Sequence, residues 1–221
     1  MSKSVTPAPS RGRGQKGLDR ELVIDRALEE IERDGLEAFS LRQAARASGC
    51  DPAALVYRFG SREGLERALV DRLHREITRL DPDLTWRERM SSMARQYRDL
   101  AARYPKAFPL LTRYWTSGPK ELAVAEDSYR AILDAGIADI DVPAIDCGFY
   151  AAILGLCAGE LGGLIGRPDA EMMAGIERHA SLETTRRILP AISAIDADRV
   201  FETTLTVLLD GIEAKGNKGM A

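Results

Sequence analysis

The segment Ser40–Leu65, SLRQAARASGCDPAALVYRFGSREGL, decides the fold. Three helix starts are written into it. Ser40, Asp51 and Ser61 each carry a short polar side chain that can accept from the free N–H groups of a helix's first turn. Pro52 follows Asp51 at the first helical position, where its missing N–H costs nothing. Gly49 and Gly60 interrupt the chain between these starts. The spacing predicts helices over 41–48 and 52–59 joined by a tight turn, then a third helix opening at Ser61 with Glu63 in its first turn.

Working outward, Ile24, Ala27, Leu28 and Ile31 repeat at helical spacing, and Gly35 closes that run. Downstream, Leu65, Leu69, Leu73, Ile77 and Leu80 form one stripe, which predicts a helix up to Asp81-Pro82. Further helices are expected over 85–104, 106–116, 120–135, 142–165, 169–189 and, after Pro190, 196–215. No alternating strand of convincing length occurs. The expected fold is all-α, with about nine or ten helices. Its expected parts are a basic arm over 1–17, a small helical domain over 18–64 and a larger one over 65–221.

Composition agrees. The 221 residues are 45% hydrophobic, enough for a sizeable core and too many for a disordered chain. Cys50, Cys147 and Cys157 cannot build a disulfide framework, and the polar opening does not read as a secretory leader. A reducing, cytoplasmic setting is expected. The most apolar run, Phe149–Gly159, is eleven residues long, too short to span a bilayer.

Charge is uneven. Residues 1–75 carry fourteen Lys and Arg against twelve Asp and Glu, whereas 76–221 carry seventeen against twenty-two. The first twenty residues hold five basic groups and one acid. A basic arm on an acidic protein points to a polyanion at that end. Gly12-x-Gly14-x-x-Gly17 matches a dinucleotide fingerprint in letters only, because no strand precedes it.

The short second helix, 52–59, has the width that enters a DNA major groove. Ala53 and Ala54 allow close approach to the bases, and Tyr57 and Arg58 edge the helix. Arg42, Arg46 and Arg62 surround the unit, Gln43 is a further DNA-binding candidate, and the helix starts at Ser40, Asp51 and Ser61 offer N–H groups suited to phosphate. Arg11, Arg13 and Lys16 would follow a phosphate backbone or enter a minor groove. Phe39, Leu41, Ala45, Leu55 and Phe59 read as the core of the small domain.

Residues 18–69 resemble the DNA-binding domain of the TetR family of bacterial transcriptional regulators. The likeness rests on the first helix ending at Gly35, on Phe39–Ala45, on Gly49, and on Ala54–Leu65 with its Phe59-x-Ser61-Arg62-Glu63-x-Leu65 junction. Tyr104–Leu161 resembles, more weakly, a tetracycline-repressor-like C-terminal domain. The family's phosphate-contacting tyrosine aligns with Val56, which is expected to pack inward, while Tyr57 follows one residue later. Arg58 replaces the usual His or Tyr, and Arg62 takes the place of a Lys that meets phosphate.

The resemblance implies a homodimer on a palindromic double-stranded operator, acting as a repressor released by a small, largely apolar effector. Pocket candidates are Trp86, Met90, Met93 and Tyr97, then Phe108, Leu111, Tyr114 and Trp115, then Tyr150, Leu154, Met172 and Met173. Arg113, Asp146 and Glu160 are candidate polar anchors. The expected dimer stripe is Ile145, Phe149, Ile153 and Leu156 with Phe201, Leu205, Leu208 and Ile212. A fourth helix running from the recognition helix to the pocket would couple the two sites.

No enzyme, cofactor or metal site is expected. There are two histidines, and His179 with Glu183 four residues on would be a surface helical pair. No membrane association is expected. The alternative is a helical ligand-binding or protein-interaction module that has lost DNA binding, for which Val56 is the sole support.

Overall fold

The computed structural model describes residues 19–114, 118–179 and 182–219. Eleven helices follow one another among the described residues, and no strand occurs there. They are α1 (Arg20–Asp34), α2 (Leu41–Ala47), α3 (Pro52–Phe59), α4 (Arg62–His74), α5 (Trp86–Arg103), α6 (Leu110–Arg113), α7 (Pro119–Asp134), α8 (Val142–Leu161), α9 (Ala170–Arg178), α10 (Glu183–Ser193) and α11 (Ala197–Gly219).

The expected caps are in place. Asp51 accepts from the Ala53 N–H at 2.7 Å, Ser61 from Gly64 at 3.1 Å, and Ser40 from Gln43 at 3.3 Å. Thr85 and Glu88 close a reciprocal capping box at the start of α5. Gly35, Gly49 and Gly60 hold positive φ at the breaks, a conformation strained for any side chain. The α1 stripe Val23, Ile24, Ala27, Leu28 and Ile31 is buried, as are Phe39, Ala45 and Leu55; Leu41 and Phe59 pack half-buried against them.

Four element boundaries differ from expectation. The fourth helix ends at His74, not at Leu80. The N–H groups of Arg75, Glu76 and Ile77 bond three residues back, which tightens and closes the last turn. The segment that follows is then tied to other helices: Thr78 to Gln96 on α5, Arg79 and Leu80 to Asp127 on α7. Ile77 stays buried although it is not helical, so apolar spacing survived where the helix did not. Helix α6 is one short turn, and α8 stops at Leu161, where Gly162 and a positive-φ Gly163 follow.

The stretch 169–189 divides into α9 and α10, and Pro190 lies inside α10 instead of ending it. His179 caps the end of α9 and Glu183 begins α10, so the two do not share a helix face.

Helices α5, α7, α8 and α11 form the bundle of the larger part, with α4 packed on α1, α6 and α7. By length and composition α8 has the character of a membrane span; here α5, α7 and α11 pack against it. Helices α9 and α10 bury no residue within the chain.

Candidate nucleic-acid interface and ligand cavity

On α3 the inward residue is Leu55, fully buried. The outward edge carries Asp51, Ala53, Val56, Tyr57 and Arg58, with Ala54 half-buried. Tyr57 is 93% exposed, with its ring open to whatever meets this face of α3. Val56 is 48% exposed, so the expectation that it packs inward is wrong. With Leu55 and Phe59 turned to the core, Val56 and Tyr57 fall together on the solvent side of a two-turn helix.

Arg42 is exposed beside this edge. Ser40 and Gln43 are tied to each other, the Ser40 hydroxyl donating to Gln43 Oε1 at 2.8 Å. Arg11, Arg13 and Lys16 lie outside the described residues. Arg62 is half-exposed but engaged: its Nε donates to Glu66 Oε1 at 2.6 Å and a terminal nitrogen to the Leu36 carbonyl at 3.4 Å.

A cavity of about 540 Å³ opens between α4, α5, α6, α7 and α8. Six of the expected residues line it: Met93, Tyr97, Leu111, Tyr114, Tyr150 and Leu154. Trp86, Met90 and Phe108 do not. Met90 and Phe108 are fully buried and serve as core behind the wall, and Trp86 packs half-buried at the start of α5. Met172 and Met173 sit on α9, away from the cavity, and Trp115 lies outside the described residues. Of the three anchors, Arg113 and Asp146 line the cavity, while Glu160 is held by Arg98 at 2.8 Å.

Sequence reasoning missed the contribution of α7. Glu121, Val124, Ala125, Ser128 and Tyr129 recur every three or four residues and form one wall. The available signal was a serine, Ser128, beside Val124, Ala125 and Tyr129. His74 was also missed; it ends α4 and lines the cavity.

The polar groups of the cavity have definite states. Burial pushes the Asp146 carboxyl up from its ordinary value, partly offset by the Ser128 hydroxyl, which donates to it. Burial holds His74 below its usual range. The ring Nδ1 lies 2.9 Å from the Val70 carbonyl, which only accepts, so Nδ1 carries the hydrogen of the neutral ring. Tyr97 meets His74 edge-on at 6.1 Å and Tyr150 at 5.2 Å. Burial raises both tyrosines.

One chain of contacts leaves the cavity toward the helix-turn-helix. Tyr114 donates its hydroxyl to Glu66, which is 3% exposed, and Glu66 in turn accepts from Arg62 at the start of α4. The Arg67 guanidinium covers the Tyr114 ring at 4.9 Å.

The expected dimer stripe does not stand free. Phe149, Ile153, Phe201, Leu205 and Ile212 are buried within their own chain, and Ile145, Leu156 and Leu208 pack half-buried against the same core. Hydrophobic spacing marks a buried face without saying whether one chain or two bury it. The outward face of α8 carries small residues instead, among them Ala144, Gly148 and Ala158. Among the described residues no group of three His, Cys, Asp or Glu side chains could hold a metal ion.

Residues 23–69 match the family described as bacterial regulatory proteins, tetR family, and residues 80–215 match the tetracyclin repressor-like C-terminal domain. An HTH-type transcriptional regulator of Saccharopolyspora erythraea is 22% identical over 144 residues, 65% of this chain and 61% of that protein. The chain therefore spans less than two thirds of the length of this curated relative. ActR from Streptomyces coelicolor superposes with a TM-score of 0.79 at 18% identity, covering 91% of this chain and 98% of ActR. The same protein in complex with actinorhodin gives the same TM-score, 0.79. BioQ, solved from Mycobacterium smegmatis, superposes at 0.71 with 23% identity over 90% of this chain and 99% of BioQ. Bound to its natural double-stranded DNA operator, BioQ superposes at 0.66.

Proposed function

Because the chain belongs to the TetR family of bacterial regulatory proteins, we propose that it controls transcription as a cytoplasmic homodimer that binds operator DNA and releases it when a small molecule fills the cavity. The observation that carries this reading is the Tyr114–Glu66–Arg62 chain, which joins the cavity wall to the start of α4 beside the recognition helix. A regulator needs two sites whose ligands favour different arrangements of one element, and α4 is in contact with both.

The DNA edge is Ala53, Tyr57 and Arg58 on α3, with Arg42, Arg62 and the helix starts at Ser40, Asp51 and Ser61 on phosphate. The exposed Tyr57 ring supports this, since contact with a duplex would cover it. Arg11, Arg13 and Lys16 extend the contact along the backbone. A two-fold dimer reads a palindrome, with half-sites about 34–36 Å apart per turn. The dimer forms through the outward small-residue face of α8 with α11, and the amphipathic α9 and α10, which bury no residue in their own chain, add to it. The protein acts as a repressor and is neither an enzyme nor a membrane protein.

Fluorescence anisotropy with DNA from upstream of its own gene tests the reading. Saturable, salt-dependent binding that is reversed by a cavity ligand supports it. Failure to bind that DNA any better than random duplex counts against it and favours a module that has lost DNA binding.

A further inference from the structure

We propose that the cavity takes a lipophilic organic cation, with its positive charge against the Asp146 carboxylate and its apolar body among the tyrosine and aliphatic side chains. This rests on the ligand-responsive reading above and names the class of ligand.

The cavity presents a negative charge that no basic side chain offsets at Asp146. Its two basic residues are already committed. Arg113 donates to Glu37 at 2.9 Å, outside the cavity on the small domain. His74 gives its Nδ1 hydrogen to Val70, and burial keeps the ring neutral. On the acidic side, Asp146 lines the cavity with a neutral hydroxyl, that of Ser128, as its hydrogen-bond partner. No Lys or Arg pairs with it among the described residues.

A carboxylate withdrawn from water without a cation is costly, and burial accordingly pushes Asp146 toward its protonated form. A ligand that brings its own positive charge removes that cost; an anion adds to it. Tyr97, Tyr129 and Tyr150 line the cavity around this acid, and ring faces attract cations most strongly when desolvated. The remaining wall, with Met93, Leu111 and Leu154, suits an apolar body. Asp146 therefore sets specificity by sign, and the apolar wall supplies most of the affinity.

Tetraphenylphosphonium and tetraphenylborate have nearly the same size and shape and opposite charge, and neither forms hydrogen bonds. Each is titrated into the full chain against bound N-phenyl-1-naphthylamine, a neutral fluorescent probe of the cavity. The wild type should favour the phosphonium, and Asp146→Asn should weaken phosphonium binding by about tenfold while leaving the borate no weaker. Borate binding as tight as phosphonium in the wild type overturns the proposal. So does a preference that Asp146→Asn leaves unchanged. If the neutral probe binds and responds to operator DNA but the phosphonium does not displace it, the charge assignment falls and the ligand-responsive reading stands. If none of the three binds the folded protein, both fall.

Discussion

The hydroxyl of Tyr114, on the wall of the cavity, donates to Glu66, a buried carboxylate in the second turn of α4. The other oxygen of that carboxylate accepts from Arg62 at 2.6 Å, one turn back toward the recognition helix. A ligand that displaces Tyr114 therefore changes what Arg62 holds. Tyr114→Phe removes the link and leaves the ring in place. Ligand binding should persist, while the ligand-induced loss of operator affinity, of the order of 5- to 150-fold in coupled systems, should fall to about 2-fold or less. Operator anisotropy with and without ligand measures this. Full coupling in the variant would remove Tyr114 from the path.

Arg58 and Arg62 should behave differently on DNA. Arg62→Ala weakens binding to every duplex alike and reduces the salt slope by about 1, the signature of one phosphate contact. It also leaves buried Glu66 short of a charged partner, costing about 1–2 kcal/mol of stability. Arg58→Ala, at the outer edge of α3, costs about 1–3 kcal/mol on the cognate operator alone, as expected of a base contact. Titrations on cognate and random duplex at two salt concentrations separate the roles. Equal losses on both duplexes for Arg58→Ala would reassign it to the backbone.

The small domain was almost fully legible because its signals are local. Ser40, Asp51, Pro52, Ser61 and the three glycines act on the residues next to them, and each does what its position implied. The cavity was half legible. Met93, Tyr97, Tyr150 and Leu154 were reached through the family resemblance laid over helical spacing, but Met90 and Phe108 have the same chemistry and are simply core. Which face of a helix meets empty space depends on the crossing of five helices, and spacing carries no record of it. Residues such as Ser128 and His74 came into view only when neighbours distant in sequence were placed beside them.

Two buried groups give stability a distinct pH profile. The folded-state value of His74 lies below its ordinary 6.5, so its contribution is present above that value and is lost as pH falls through the lower folded value. Asp146 has the opposite sense. Its folded value lies above 3.8, so stability is greatest while it is protonated and is lost as pH rises through the raised value. Urea melts should show weakening as pH falls below 6.5 that disappears in His74→Gln. Asp146→Asn should raise the melting temperature at pH 7 and make little difference below pH 3.8. A destabilised Asp146→Asn at pH 7 would mean the carboxylate has a stabilising partner after all.

Gly64 should be sensitive for a steric reason. A Cβ there would lie 1.9 Å from the Phe59 carbonyl oxygen, which is backbone and cannot swing away. Gly64→Ala must push α3 and α4 apart at the junction that positions Tyr57 and Arg58. We expect an overpacking cost of about 1–3 kcal/mol and a larger loss of operator affinity than of ligand affinity. Operator affinity unchanged in Gly64→Ala would show that the junction can relax without moving the recognition helix.

The dimer prediction depends on which side of α8 is free. Phe149 and Ile153 face the chain's own core, so substituting them tests folding, not association. Gly148 is exposed and open, so a large side chain there leaves the single chain undisturbed. On a partner helix packed closely against the small-residue face, the same side chain would occupy the space the partner needs. The wild type should sediment as two 24.2 kDa chains at micromolar concentration. Gly148→Arg should sediment as one, keep its helical circular dichroism, and bind a single half-site far more weakly than the dimer binds the palindrome, because two linked contacts reinforce each other by about 10²–10⁴. A wild type that sediments as a single chain would refute the dimer, and a Gly148→Arg variant that remains dimeric would move the interface off this face of α8.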